Sequence, residues 1–356
     1  MLVRRAWLKL FVWLAATVFL LLLLLEIGAR FLVPANPEGL PLSSAGKVKA
    51  ITQGMPPALE KFLRYDPRLG WSLQPGLDKF LMPAGAAGVF GPDRDFTITT
   101  NALGLRGGPI TPKGTRRRIL AIGDSTTFGW GIDDGETWPA QLETILNGGS
   151  DGGAWQVINA GVNAYSSYQG LRYLEERGFD LEPDIVVASF WFNDGMPWWG
   201  MSDAEAFRRL GIERWDGFFR HSRLYVALKL VALRIHPPQK LDKTKQRPRL
   251  SPAEFEHTLA QMNRTCTSKN IPLVYLLWPL ADQVEQKAAP DAAYQDIIAK
   301  VAQQTGMPLV NPLDAFAAAA PPLYVDRIHG NGAACRIAAE LLAEKIRKII
   351  PIGTPR

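Results

Sequence analysis

The sequence predicts an α/β domain with a mostly parallel five-stranded sheet, preceded by a single membrane-spanning helix. From residue 118 onward, short apolar segments of strand length alternate with amphipathic segments of helix length. This alternation is typical of a parallel sheet covered by helices on both faces. The N-terminus carries one much longer apolar run. With 356 residues, 47% of them hydrophobic, the chain is long enough for one large α/β domain with additions.

The N-terminal segment predicts a membrane anchor. Basic residues at positions 4, 5 and 9 precede an apolar run from Leu10 to Leu25, which together with its flank approaches the roughly 20 residues needed to span a bilayer. The positive flank keeps that end in the cytoplasm. A cleaved signal peptide is the alternative, although the run exceeds the usual signal-peptide core and Ile27-Gly28-Ala29 is a weak cleavage site. Both interpretations place the domain outside the cytoplasm; the anchor, which we favour, makes this a single-pass inner-membrane protein with a periplasmic or extracytoplasmic domain.

Three regions follow from these patterns. Residues 1–32 form the cytoplasmic flank and anchor, and residues 33–117 form a linker and an extension with short strands, including one over Asp95–Thr100. Residues 118–350 form the α/β domain, which an insertion at 195–250 interrupts. The insertion is rich in basic residues at its end, and it is interpreted as a lid, a membrane contact or a solvated loop.

Each predicted element has its own sequence signal. The predicted strands are Ile119–Ile122, Val157–Ile158, Asp184–Phe192, Leu273–Leu277 and Leu309–Val310. The predicted helices are Trp138–Leu146, Ser167–Arg177, one that begins after Ser251, Asp291–Gln304 and Gly332–Ile349. Ser251 is predicted to cap its helix, with Pro252 in the first turn and Glu254 completing a capping box. Asn331 is the predicted cap of the last helix.

Composition excludes several classes of function. The formal net charge of +6 is spread over the whole chain without an arginine-rich helix or an RNA-type aromatic motif, so no nucleic-acid partner is predicted. Cys266 and Cys335 lie far apart without metal-ligand spacing, and we interpret them as buried thiols, with a disulfide as the alternative. No metal or organic cofactor is predicted.

Polar motifs follow four of the five predicted strands. They are Gly123-Asp124-Ser125, Asn159-Ala160-Gly161, Asn193-Asp194 and Asp326-Arg327-Ile328-His329. Ligands of open α/β sheets bind beyond the carboxyl ends of the strands. Each motif is weak evidence for a functional site by itself, because such short motifs occur often by chance. Their occurrence in this order, each after a strand, indicates one site.

These motifs resemble those of the SGNH hydrolase family, also called GDSL esterases and lipases, over residues 118–349. The resemblance implies a three-layer, flavodoxin-like fold with Ser125 as nucleophile and Asp326 and His329 completing a catalytic triad. It further implies an oxyanion hole made by the backbone N–H groups of Ser125 and Gly161 and the side-chain amide of Asn193. The residue types suit this chemistry, since a serine needs a base and a histidine needs an acceptor that fixes its tautomer.

The sequence departs from the family pattern at two positions. Thr126 stands where the first block carries leucine, and Trp191 stands where the third block carries glycine; the second change bears on the shape of the acyl pocket. The segment 99–107 looks like the bacterial membrane-anchored branch, which is often linked to envelope modification. Asp124 and Asp194 are interpreted as structural supports.

The expected function is an acyl-ester hydrolase that works outside the cytoplasmic membrane on O-acyl groups of glycans or lipids. An O-acyltransferase that modifies an envelope polysaccharide would use the same triad, and a non-catalytic glycan-binding module is a further alternative. In the structural alternative, Ser125 only caps a helix and Asn193 only satisfies backbone groups. The expected partners are an acylated small molecule, glycan or lipid, and the membrane.

Several tryptophans lie close in sequence to the predicted site. They are Trp130, Trp191, Trp198, Trp199 and Trp215. Three interpretations stay open: an aromatic wall that receives an acyl chain or a sugar ring, packing of the insertion onto the core, or an interfacial aromatic belt.

Overall fold

The computed structural model describes residues 2–34, 59–66, 68–85, 93–148, 155–197, 201–209, 221–235, 247–285, 293–319 and 322–350. The strands are β1 (Leu63–Asp66), β2 (Gly70–Leu73), β3 (Phe80–Met82), β4 (Phe96–Ile98), β5 (Arg117–Gly123), β6 (Trp155–Gly161), β7 (Ile185–Ser189), β8 (Leu273–Leu276) and β9 (Leu309–Val310). The first α-helices are α1 (Leu2–Leu32), α2 (Leu59–Phe62), α3 (Ser125–Phe128), α4 (Trp138–Asn147), α5 (Ser167–Tyr173), α6 (Phe192–Gly195) and α7 (Asp203–Arg209). The remaining ones are α8 (Arg223–Ile235), α9 (Pro252–Thr267), α10 (Ala281–Val284), α11 (Ala293–Thr305), α12 (Leu313–Ala318) and α13 (Gly332–Ile349).

The last five strands form one parallel sheet. Their spatial order is β6-β5-β7-β8-β9, and every neighbouring pair is parallel. This is the flavodoxin-like order, so the predicted fold class is confirmed. Gly123 at the end of β5 pairs with Gly161 of β6 and with Ser189 of β7. The carboxyl ends of these three strands therefore lie level with one another.

The sheet is the middle of three layers. Successive residues of β5 point to opposite faces: Leu120 and Ile122 belong to one buried cluster, while Ile119 and Ala121 belong to the other. The first cluster also contains residues of α5, α9 and α11, and the second contains residues of α4 and α13. Because both faces are covered, the strands can be apolar along their whole length, as the sequence indicated.

Helix boundaries follow the predicted caps. The side chain of Ser251 accepts from Glu254 N–H, and Glu254 reaches back to Ser251, which confirms the capping box of α9. Asn331 accepts from the N–H groups of Ala333 and Ala334 and caps α13 as predicted. Cys266 and Cys335 are buried free thiols.

Two predicted elements end three or four residues earlier than expected. The strand predicted over 184–192 ends at Ser189, and the residues after Phe190 turn into the short helix α6. Phe190 and Trp191 lie beyond the residues of β7 that pair with β5. Both are apolar because they are buried in the core, not because they belong to the strand. The helix predicted over 167–177 is α-helical only to Tyr173 and continues as a π-helical turn over Leu174–Gly178.

The N-terminal extension packs into the core of the α/β domain. Leu69 and Trp71 are fully buried in the cluster that covers one face of the sheet. The Trp71 indole donates to Asn163 O at 3.0 Å, and the Tyr165 hydroxyl donates to Trp71 O at 2.6 Å. The strand predicted over Asp95–Thr100 is present as β4, which pairs with β3. Residues 35–58, within the linker and extension predicted over 33–117, lie outside the described residues.

A buried ion pair holds the two ends of the insertion together. Arg249, which is fully buried, donates to both carboxylate oxygens of Asp203 at 2.8 Å. The same guanidinium donates to Ala164 O at 2.6 Å and to the side chain of Gln169 at 2.7 Å. The base of the insertion is therefore tied to the loop that connects β6 with α5.

The N-terminal helix α1 is long and apolar enough to cross a membrane. The candidate span, Lys9–Leu32, covers 24 residues with a mean hydropathy of 2.6, and its apolar window is not buried against the rest of the protein. Length and composition meet the requirements of a membrane-spanning helix.

Candidate active site

The predicted catalytic residues meet at the carboxyl edge of the sheet. Ser125 follows β5 directly, and its hydroxyl oxygen lies 2.7 Å from His329 Nε2. On the other side of the ring, His329 Nδ1 lies 2.6 Å from Asp326 Oδ2. Ser125 thus forms one continuous hydrogen-bonded chain with two residues that lie about 200 positions later in the sequence.

The Asp326–His329 loop is held in a compact turn by its own carboxylate. Asp326 Oδ1 accepts from the N–H groups of Ile328 and His329, both at 2.7 Å, which leaves Oδ2 for the imidazole. The side chains of His329 and Asp326 are only 6% and 9% exposed. This geometry agrees with the three-residue spacing, because one turn brings the carboxylate to the ring nitrogen that faces away from Ser125.

The electrostatics of this pair favour an ionised carboxylate. Burial acts to raise the pKa of Asp326, but the hydrogen bonds and the charge of His329 outweigh it, so the pKa lies below its usual value. An ionised Asp326 accepts the Nδ1 proton, and Nε2 is then the acceptor that faces the Ser125 hydroxyl. Because the folded pKa is lowered, the carboxylate stabilises the fold above its unfolded pKa, and this contribution is lost as the pH falls through the folded value.

Ser125 sits at the first position of α3, where the chain turns sharply out of β5. Asp124 caps this helix by accepting from Thr126 N–H at 2.8 Å and from the Thr126 hydroxyl at 2.8 Å. Burial raises the pKa of Asp124. A Cβ atom at Gly123 would lie 1.9 Å from Thr127 Oγ1 and 2.8 Å from Ser189 O, so only glycine fits before the turn. Asp124 thus orders the loop, as predicted.

Asn193 approaches the Ser125 loop from β7. Its side-chain amide donates to Tyr165 O at 3.0 Å and to Asp124 Oδ2 at 3.3 Å. Its neighbour Asp194 is fully buried and accepts from the N–H and hydroxyl of Ser167. Burial raises the pKa of Asp194 to about 7 even though the hydrogen bonds from Ser167 lower it.

The Gly161 N–H already has an acceptor. It donates to the side chain of Asn159 at 3.0 Å, so its place in an oxyanion hole stays a prediction. The structure supplies another reason for glycine here, since a Cβ atom would lie 2.3 Å from Phe128 N. The close approach lets α3 pack directly against β6.

Two residues near the site were not singled out from the sequence. Asn159 bridges β6 and the nucleophile helix, because its amide donates to Thr127 O at 3.0 Å. Arg106 is buried and donates to Phe128 O at 2.8 Å and to Ile132 O at 2.7 Å, just after the same helix. Both residues fall within sequence motifs. Their hydrogen-bond partners, however, lie in α3 and the loop that follows it, 22 to 32 positions away along the chain, so the sequence does not display these contacts.

Comparison with known proteins identifies the family of this chain. The model of the GDSL-like lipase/acylhydrolase family matches residues 121–337, well over half of the chain. This chain belongs to the GDSL-like lipase/acylhydrolase family. The predicted SGNH hydrolase relationship is confirmed.

Individual relatives of this GDSL-like acylhydrolase are distant. Esterase TesA of Pseudomonas aeruginosa is 29% identical over 96 residues, which are 27% of this chain and 46% of TesA. The matched segment thus spans about half the length of this curated relative. A lipase/acylhydrolase from Enterococcus faecalis has 15% identity and a TM-score of 0.45, with 67% of this chain and 100% of that chain covered. Esterase EstA from Pseudoalteromonas sp. has 15% identity and a TM-score of 0.42, with 66% and 98% covered.

The described tryptophans of this acylhydrolase belong to its packing. Trp130 is buried and stacks with Phe62 at a ring-centroid distance of 5.9 Å. Trp191 is buried and donates to Trp278 O at 2.9 Å. Trp191 also borders a cavity of about 10 Å³ beside Asp124, which is about the volume that one water needs. These two residues are therefore part of the core, and neither of these contacts involves the insertion. Trp198, Trp199 and Trp215 lie outside the described residues.

Proposed function

We propose that this enzyme hydrolyses acyl esters through Ser125, His329 and Asp326 as a catalytic triad, on the extracytoplasmic side of the membrane. The observation that carries the proposal is the continuous chain from Ser125 Oγ to His329 Nε2 and from His329 Nδ1 to Asp326 Oδ2, at 2.7 and 2.6 Å. A serine that only capped a helix would need neither contact. Here Asp124 provides the cap, and the Ser125 side chain remains partly exposed to a substrate.

The reaction follows from this arrangement. The Ser125 oxygen attacks the ester carbonyl carbon while its proton passes to His329 Nε2, and Asp326 stabilises the resulting imidazolium. The tetrahedral intermediate collapses to an acyl-enzyme, and the leaving alcohol takes the proton from His329. Water then repeats the sequence: His329 accepts its proton, the hydroxyl attacks the acyl carbon, and the carboxylic acid leaves as Ser125 is reprotonated.

The negative oxygen of the intermediate needs hydrogen-bond donors. The Ser125 N–H is suited to this because the first N–H groups of a helix have no acceptor within it. We assign the second donor to Asn193, whose amide contacts Asp124 beside Ser125 and would exchange this long hydrogen bond for one to the oxyanion. Gly161 can act as a third donor by sharing the proton that Asn159 now accepts. One such donor contributes about 3–4 kcal/mol in the best-measured case.

The location and substrate are inferred from the N-terminal helix. With the basic residues before Leu10 in the cytoplasm, the catalytic domain lies outside the membrane. We therefore propose that its substrates are O-acyl groups of glycans or lipids of the cell envelope. Transfer of the acyl group to a sugar hydroxyl differs from hydrolysis only in the second step, where the sugar replaces water.

The test uses the full-length protein in detergent micelles with p-nitrophenyl acetate, with and without sugar acceptors. We expect p-nitrophenol and free acetate to appear in equal amounts, and the acetate yield to be unchanged by acceptors. Acetylated acceptor formed at the expense of free acetate would show an acyltransferase instead. A folded protein that releases no p-nitrophenol under either condition would contradict the proposal.

A further inference from the structure

One face of the N-terminal helix is covered by the insertion. Over residues 26–34, at the end of α1, every residue is exposed except Glu26, Ala29 and Val33, the last of which follows the helix directly. These positions are spaced i, i+3 and i+7, so they form a single stripe. The insertion helix α8 is the element that packs against α1.

The contact is made specific by a carboxylate of α1, Glu26, which lies against the first residues of α8. The Glu26 side chain accepts from the Ser222 hydroxyl at 2.7 Å and from the N–H groups of Arg223 and Leu224 at 3.0 Å. The first N–H groups of a helix lack partners within it and carry partial positive charge. A glutamate on α1 therefore satisfies the free donors of α8, and Arg223 adds a bond to Pro34 O at 3.3 Å.

The opposite side of α8 presents an apolar stripe to the solvent. Leu228, Val231 and Ile235 are 61%, 52% and 67% exposed, and they are spaced i, i+3 and i+7. The charged residues of α8, Arg223, Lys229 and Arg234, are all basic. An apolar stripe flanked only by basic residues fits the boundary between acyl chains and anionic headgroups.

The position of Glu26 along α1 sets the depth of this stripe in the bilayer. Glu26 precedes the end of the candidate span, Leu32, by six residues, which is about 9 Å along a helix. Interfacial helices bury their apolar face about 5–10 Å into the boundary between headgroups and acyl chains. The start of α8 is thus held at the depth of that boundary on the outer side of the membrane.

We propose that α8 lies in the outer leaflet of the same bilayer that α1 crosses, with Leu228, Val231 and Ile235 inserted between the lipids. This inference rests on the membrane anchor proposed above and gives the insertion a role. The insertion would keep the catalytic domain close to the membrane surface, because the Arg249–Asp203 pair ties its base to the loop that connects β6 with α5. The substrate class is then one presented close to the membrane surface.

The test is a depth measurement on the full-length protein in liposomes of phosphatidylcholine and phosphatidylglycerol. Val231→Cys carries an environment-sensitive fluorophore, and Arg336→Cys on the exposed face of α13 serves as the matched control. The unmodified protein measures background labelling, which should be low because Cys266 and Cys335 are buried. We expect emission from position 231 to shift to shorter wavelength and to be quenched by brominated lipids, while position 336 is quenched only by aqueous iodide.

Two results would overturn the inference. Iodide quenching at position 231 equal to that at position 336 would place α8 in water. A shift to shorter wavelength without quenching by brominated lipid would place the stripe against protein, in a second copy or over the active site. Alkaline carbonate extraction distinguishes these two results from a chain that is not anchored at all, because a chain without a membrane anchor is released from the liposomes. Hydrolysis of p-nitrophenyl acetate by the same samples reports separately on the catalytic proposal.

Discussion

Replacing Ser125 by alanine is expected to lower kcat for p-nitrophenyl acetate by about 10⁴-fold or more. The hydroxyl is the group that His329 contacts, and no acyl-enzyme forms without it. Triads act as a unit, and removal of the nucleophile in a well-studied serine enzyme costs about 10⁶ in kcat. The residual rate would come from donors such as the Ser125 N–H, which the alanine variant keeps. The measurement is release of p-nitrophenol by the purified variant and parent.

Ser268→Ala is the matched control for this change. Ser268 is exposed at the end of α9, and its hydroxyl donates only to Thr265 O in the same turn. We expect this variant to keep the parent rate within a factor of about two, since surface changes of this kind have small effects. A Ser125→Ala variant that retained a rate near that of the control would contradict the nucleophile assignment.

Asp326→Asn is expected to lower kcat by about 10⁴-fold while leaving the fold in place. The new side chain keeps an oxygen that can accept from the N–H groups of Ile328 and His329, as Asp326 Oδ1 does now. It loses the negative charge that fixes the Nδ1–H tautomer and stabilises the imidazolium, and in a comparable triad this change costs about 10⁴. Steady-state kinetics, together with circular dichroism as a check of folding, measure the effect.

Asp282→Asn tests whether any loss of charge near this loop has the same result. Asp282 forms an ion pair at 2.8 Å with Arg327, which stands between Asp326 and His329 in the sequence. This ion pair is partly exposed. Exposed pairs contribute about 0–1 kcal/mol, so we expect little change in rate. Equal losses in the two variants would indicate that the loop, rather than the charge of Asp326, is what the reaction requires.

The sequence predicted the sheet, and the meeting of Ser125, Asp326 and His329 at its edge, because each rests on a local signal. The catalytic roles of these three residues came from the family resemblance. Strands buried on both faces are apolar throughout, and motifs at strand ends converge when the strands are parallel. The turn of Asp326 and His329 follows from their spacing alone. The end of β7 was misplaced because Phe190 and Trp191 are apolar for packing reasons, and composition does not separate a buried turn from a buried strand.

Contacts between distant segments could not be predicted in the same way. Arg249 binds Asp203 and the carbonyl of Ala164, and Glu26 caps a helix almost 200 residues away. Neither pairing is marked in the sequence by a periodic pattern or a fixed spacing. The conformation of Ala164 is a further example, since its positive φ of 63° is uncommon for alanine and is imposed by its surroundings. The insertion therefore gained a defined place only from the structure.

The most direct test of the catalytic assignment is the site at which a p-nitrophenyl alkylphosphonate modifies the enzyme. Attack by Ser125 Oγ on phosphorus would expel p-nitrophenolate and leave a stable phosphonyl-serine, whose position can be read by peptide mass spectrometry. The proposed mechanism predicts one adduct on the peptide that contains Ser125, one equivalent of p-nitrophenolate, and no adduct in Ser125→Ala. An active enzyme whose adduct lies on another residue, or whose Ser125 stays unmodified while activity is lost, would contradict it.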